Sequence, residues 1–163
     1  MKRISGKQHF CFFLALVVLT ACLGSGAAHI RQGDRLRSKG ELVKARVEYR
    51  QAVKADPQNA DYKKRIDALD SEMDERAADA VADAKALQRK GQWLAAAEKY
   101  EIAAKYKPYD SDMKAHRALS ELKSKGLDQQ AWYDALQTLH RNLSDNKIVK
   151  GALAKARKKA YQE

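Results

Sequence analysis

Two stretches of this chain repeat one pattern. LRSKGELVKARVEYRQAVKADP, from Leu36 to Pro57, lies over LQRKGQWLAAAEKYEIAAKYKP, from Leu87 to Pro108, at a constant offset of 51 residues. Leu36 matches Leu87, Gly40 matches Gly91, Leu42 matches Trp93, Ala45 matches Ala96, Tyr49 matches Tyr100, Ala52 matches Ala103 and Pro57 matches Pro108. A fixed period marks supersecondary units that bury their apolar faces by stacking. Each copy spells a helical hairpin. Gly40 and Gly91 sit where a helix can close through a left-handed cap. The following stripe of Leu42, Ala45, Tyr49, Ala52 and Val53 has the spacing of one helix face. Small Ala45 and Ala52 admit a neighbouring helix, and Tyr49 fills the space between helices. Pro57 stops the segment, because it lacks an amide hydrogen and restricts the residue before it.

Between Pro57 and Gly91 there is no glycine or proline. Tyr62, Ile66, Leu69, Met73, Ala77, Ala80, Ala84 and Leu87 keep steps of three and four throughout. The economical expectation is one continuous helix from about Ala60 to Lys90, about 45 Å long at 1.5 Å per residue, joining the two hairpins.

The pattern resembles the tetratricopeptide repeat. The likeness is carried by Gly33, Leu36, Gly40, Leu42, Ala45, Tyr49, Ala52 and Pro57 in the first copy. In the second it is carried by Ala84, Leu87, Gly91, Trp93, Ala96, Tyr100, Ala103 and Pro108. It covers residues 27–57 and 78–108. The family period is about 34 residues; here 51 leaves room for roughly one more helix. The resemblance implies an all-α fold and a partner-binding groove lined by the first helix of each hairpin. The matching groove positions are Ile30, Asp34 and Arg37, then Val81, Lys85 and Gln88, with Arg89 beside them. Their basic members suit an acidic or carboxylate-bearing peptide segment.

Beyond Pro108 the chain continues in helical spacing. Asp110 or Ser111 can cap a helix that stops at Gly126, with Met113, Leu119 and Leu122 as its apolar points. Ala131, Trp132, Ala135, Leu136, Leu139 and Leu143 form a stripe suited to a capping helix. A last helix is expected from about Ser144 to Tyr161. It carries Lys147, Lys150, Lys155, Arg157, Lys158 and Lys159 with no acid between them. Ile148, Ala152, Leu153 and Ala156 make a thin apolar stripe, and Gly151 weakens the helix by about 1 kcal/mol. This basic run either frays in solvent or contacts a polyanion: acidic lipid, wall polymer or an acidic partner. Aromatics do not interleave with it, so base stacking is not indicated and nucleic acid is not an expected partner.

The amino-terminal end speaks to location. Phe10 to Ala21 is an apolar run of twelve residues preceded by Lys2, Arg3 and Lys7. A bilayer span needs about 20 apolar residues, whereas a short run behind a basic start fits an export signal. Leu19-Thr20-Ala21-Cys22 resembles the lipobox of bacterial lipoproteins. That resemblance implies removal of residues 1–21 and a lipidated Cys22 at the new terminus. Residues 22–26 would then form a tether, 27–143 the helical domain and 144–163 a basic helix or tail. One acyl chain anchors only marginally and two or more hold firmly. In similar lipoproteins of diderm bacteria, Leu23 after the lipidated cysteine implies the outer membrane, facing the periplasm.

Processing would leave 142 of the 163 residues, enough for a core. The 32 basic residues less Lys2, Arg3 and Lys7 leave 29 against 21 acids, a net charge near +8. This suits a protein beside anionic head groups, wall polymers or acidic partners. His29, His116 and His140 have no partners at metal-ligand spacing, and the carboxylates are interleaved with Lys and Arg, as on solvated helix faces. No phosphate loop or nucleophile elbow is present. The expectation is a non-enzymatic, cofactor-free adaptor of a cell-envelope assembly, with a polyanion-binding lipoprotein as the alternative.

Overall fold

A computed structural model of the chain describes residues 26–160, and every regular element among them is an α-helix. The helices are α1 (residues 26–38), α2 (Leu42–Ala55), α3 (Ala60–Arg89), α4 (Trp93–Tyr106), α5 (Ser111–Ser124), α6 (Gln129–Asn142) and α7 (Lys147–Ala160). The all-α fold of repeated helical hairpins, with a long helix between them and helices after them, is therefore what the chain adopts. The expected joining helix is continuous, as the absence of Gly and Pro required. The signal, Cys22 and the tether as far as Ser25 lie outside the described residues. Gly26, the last tether position, already belongs to α1 and is buried; a Cβ there would meet the Tyr62 ring at 2.9 Å.

The chain divides into two compact units between Glu72 and Met73, inside α3. Unit one holds α1, α2 and the first part of α3. Its core is Ile30, Leu42, Ala45, Tyr49, Ala52 and Leu69, all buried. Gly33 is part of the fit, because any Cβ would enter the van der Waals envelope of the Tyr49 ring.

Unit two holds the rest of α3 and α4 to α7. Ala77, Ala80 and Ala103 form a buried cluster against which Val81, Tyr106 and Met113 pack. Tyr100 has no exposed surface, and Leu136 in α6 and Val149 in α7 are fully buried. The last helix is thus a packed element of this unit.

The two copies close their first helices identically. Gly40 and Gly91 have φ of 75° and 74°. Gly40 N donates to Arg37 O at 2.9 Å and Glu41 N to Leu36 O at 2.9 Å; Gly91 N donates to Gln88 O and Gln92 N to Leu87 O, both at 3.0 Å. These paired bonds satisfy carbonyls that a helix end leaves open, and the left-handed residue they need is cheap only for Gly.

The 51-residue correspondence extends past the proline. Asn59 Oδ1 caps α3 by accepting from Asp61 N and Tyr62 N, and Asp110 Oδ1 caps α5 by accepting from Asp112 N and Met113 N. Fully buried Leu69 corresponds to fully buried Ser120. The repeat is therefore three helices long, which accounts for its excess over a two-helix period. The first part of α3 is the third helix of copy one, and its second part is the first helix of copy two. In copy two the third helix is α5, separated from α6 by Gly126 at φ 58°.

Candidate functional site

In unit one the expected groove positions make contacts within the unit. Ile30 is 7% exposed. Asp34 accepts from the Tyr49 hydroxyl at 2.6 Å and from Arg65 Nη1 at 2.7 and 2.9 Å. Arg37 Nε donates to Glu72 at 2.8 Å, which raises the guanidinium pKa further. Both side chains keep exposed surface, Asp34 at 43% and Arg37 at 41%. In unit two Val81 packs on the alanine cluster, while Lys85 and Arg89 are exposed.

Gln88 is placed differently. Its Nε2 donates to Ser120 Oγ at 3.0 Å and its Oε1 accepts from the Tyr100 hydroxyl at 3.3 Å. Ser120 Oγ in turn donates to the His116 carbonyl at 2.8 Å. The Tyr100 ring stacks on His116, with centroids 5.0 Å apart and planes 11° from parallel. Burial raises the Tyr100 pKa; burial first, then Lys85, lowers that of His116. A neutral imidazole stacked on a phenol results at pH 7.

This bonded layer forms one wall of a cavity of about 820 Å³. Apolar side chains come from α4 to α7 and the α5–α6 connection: Trp93, Leu119, Leu127, Trp132 and Ile148. Lys123, Lys147, Lys155 and Lys159 also line it, and none of its sixteen lining residues is Asp or Glu. Lys123 Nζ lies 4.1 Å from the centroid of the Trp93 ring, a cation–π arrangement. The volume lies within the range of ligand pockets, and the boundary combines apolar surface with charge of one sign.

The cavity brings together two sets of residues that the sequence presented separately. Gln88 from the groove set meets Lys147, Lys155 and Lys159 from the basic run. Lys150, Arg157 and Lys158 do not line it, and Lys150 lies 3.7 Å from Asp145. The position of α7 is fixed at its start by Asn146, which is buried. Its Oδ1 accepts from Ile148 N and Val149 N, and its Nδ2 donates to Asp112 at 2.7 Å and to Ser111 at 3.2 Å.

Sequence reasoning took Trp93 and Trp132 as packing residues and gave Lys123 and Leu127 no role. One signal was legible. Lys147, Gly151, Lys155 and Lys159 are spaced by four, so they share one ridge of α7. Among the described residues no three His, Cys, Asp or Glu side chains cluster as metal ligands. No described helix is long and apolar enough to cross a membrane. No protein-family profile, curated protein or solved structure matches the chain. The class of protein rests on the fold and on this cavity alone: an all-helical repeat protein with a basic, tryptophan-lined cavity.

Proposed function

We propose that this chain is a lipid-anchored, non-enzymatic adaptor of a bacterial cell envelope that captures an acidic segment of a protein partner in the cavity of unit two. The observation that carries the reading is the lining itself: four lysines and two tryptophans around about 820 Å³, with no carboxylate among the lining residues. Like charges collected around a concave apolar surface raise the local concentration of an oppositely charged segment and favour its capture. The tetratricopeptide-like hairpins support a binding role by resemblance. The LTAC sequence supports the anchor, with Cys22 as the lipid-bearing residue and the outer membrane, facing the periplasm, as the location.

Two experiments test it. Cys22→Ser should abolish lipid labelling and release the chain from the membrane fraction; unchanged fractionation and mass would remove the anchor from the proposal. Crosslinking pulldown should lose its acidic partner when Lys147, Lys155 and Lys159 are reversed to Glu, and retain it when Lys150, Arg157 and Lys158 are reversed. The opposite result would assign binding to the outer basic face and make the chain a polyanion binder.

A further inference from the structure

Resting on the adaptor reading, we infer that the segment received by the cavity is an acidic amphipathic α-helix lying along α7. The α7 wall consists of two adjoining ridges. One is Lys147, Gly151, Lys155 and Lys159; the other is Ile148, Ala152 and Ala156. Residues four apart on a helix stack about 6 Å apart along its axis. The first ridge therefore presents cations at both ends and a gap in the middle. The second presents one large apolar residue and then only methyl groups. Gly151, Ala152 and Ala156 lower the middle of the wall, which lets another helix axis come within the 8–10 Å of ordinary helix packing.

The chain's own packing does not account for Gly151. A Cβ built there meets nothing within 4 Å. Its φ is not in the left-handed region. Glycine inside a helix weakens it, so an alanine would be the better residue were the cavity never filled. The opening suits an occupant that approaches the backbone closely.

The chemistry of the lining selects a helix over an extended segment. An extended peptide brings unpaired N–H and C=O groups that must be satisfied where they are buried. The lysines and indoles of the lining are donors only, and Ser120 and Gln88 are already bonded to one another. Acceptors for the N–H groups of an extended segment are therefore few: the Gln129 amide and the His116 ring. A helix satisfies its own backbone and presents only side chains. Its apolar face would meet Trp93, Trp132, Leu119 and Ile148, and carboxylates along its flank would meet Lys147, Lys155, Lys159 and Lys123. Two turns of a helix about 10 Å across fill roughly the volume of this cavity.

The test compares two fluorescent synthetic peptides of about 18 residues, long enough for a helix to persist. One is an acidic amphipathic helix with Glu on one flank and Leu on its apolar face. The other has the same sequence and charge except that uncharged central residues are replaced by Pro. Binding is read by fluorescence anisotropy against the full Cys22→Ser chain. The helical peptide should bind about tenfold or more tightly than the broken one. Gly151→Leu, and separately Ala152→Leu, should weaken it by about tenfold or more, with Gly151→Leu unfolding at a temperature no lower than the parent chain. Equal binding of both peptides overturns the helix and leaves the adaptor reading standing. Binding of neither peptide, or binding of anionic vesicles alone, overturns both. Full-strength binding by both leucine variants also overturns the placement along α7.

Discussion

The Tyr49 hydroxyl lies 2.6 Å from the Asp34 carboxylate to which it donates, while the hydroxyl of its repeat counterpart, Tyr100, reaches Gln88 at 3.3 Å. Both rings are without exposed surface. The ring is thus common to the two copies and its polar end is not. In unit one the bond is charge-assisted and shared with Arg65; in unit two it belongs to a neutral chain through Gln88 and Ser120. Charge-assisted bonds contribute about 1.5–3 kcal/mol and neutral ones about 1 kcal/mol.

Tyr49→Phe should therefore cost more than Tyr100→Phe, by about 1 kcal/mol in denaturant unfolding. Removing either ring with Ala should cost about 3–5 kcal/mol. Equal losses for the two Phe variants would show that the Asp34 bond adds nothing beyond the neutral one. A loss under about 1 kcal/mol for either Ala variant would remove that tyrosine from the core.

Asn146→Ala takes away the cap of α7 and its bonds to Ser111 and Asp112 together. Loss of a cap alone costs about 1 kcal/mol, and an unpaired buried group adds to that. We expect about 1–3 kcal/mol of destabilisation and faster hydrogen exchange confined mainly to α7. Exchange that rises equally in α2 would contradict this placement, because α2 lies in the other unit.

Three rings with shifted pKa values contribute to the pH dependence. The folded protein lowers the His116 pKa from 6.5, mainly by burial. The unfolded chain then takes up a proton that the folded one resists, so stability falls as pH drops below about 6.5. Burial raises Tyr49 and Tyr100 above 10.0, with Asp34 adding to the rise at Tyr49. Their contribution is complete below pH 10 and is lost as pH climbs through the raised values. His116→Phe keeps a ring against Tyr100 and removes the titration, so its thermal midpoint should fall less than the parent's between pH 7 and pH 5. An identical acid limb in the two proteins would show that His116 does not govern it.

Much of this architecture was legible because its signals are local. Gly40, Gly91, Pro57 and Pro108 punctuate the chain by backbone sterics, and the unbroken stripe from Tyr62 to Leu87 requires one helix. What the sequence concealed was a matter of partners. Leu69 and Ser120 look unrelated as letters, yet they are buried counterparts, and that pair exposes a three-helix repeat. Nothing in the spacing says that Arg65 and Glu72 come to meet Asp34 and Arg37. The cavity was hidden for the same reason. Lys123, Trp93, Trp132 and Lys155 come from four helices, and only packing brings them together.

The chain has two tryptophans, Trp93 and Trp132, and both line the cavity. Intrinsic fluorescence therefore reports its occupancy without a label. Titration of the Cys22→Ser chain with an acidic amphipathic peptide should shift tryptophan emission in a saturable way. Rising salt should weaken the effect, since it rests partly on exposed charge. Reversing Lys147, Lys155 and Lys159 to Glu should abolish it, and reversing Lys150, Arg157 and Lys158 should leave it largely intact. A peptide that binds by anisotropy while tryptophan emission stays unchanged, or that loses binding only with the second set of reversals, would contradict the cavity as the receiving site.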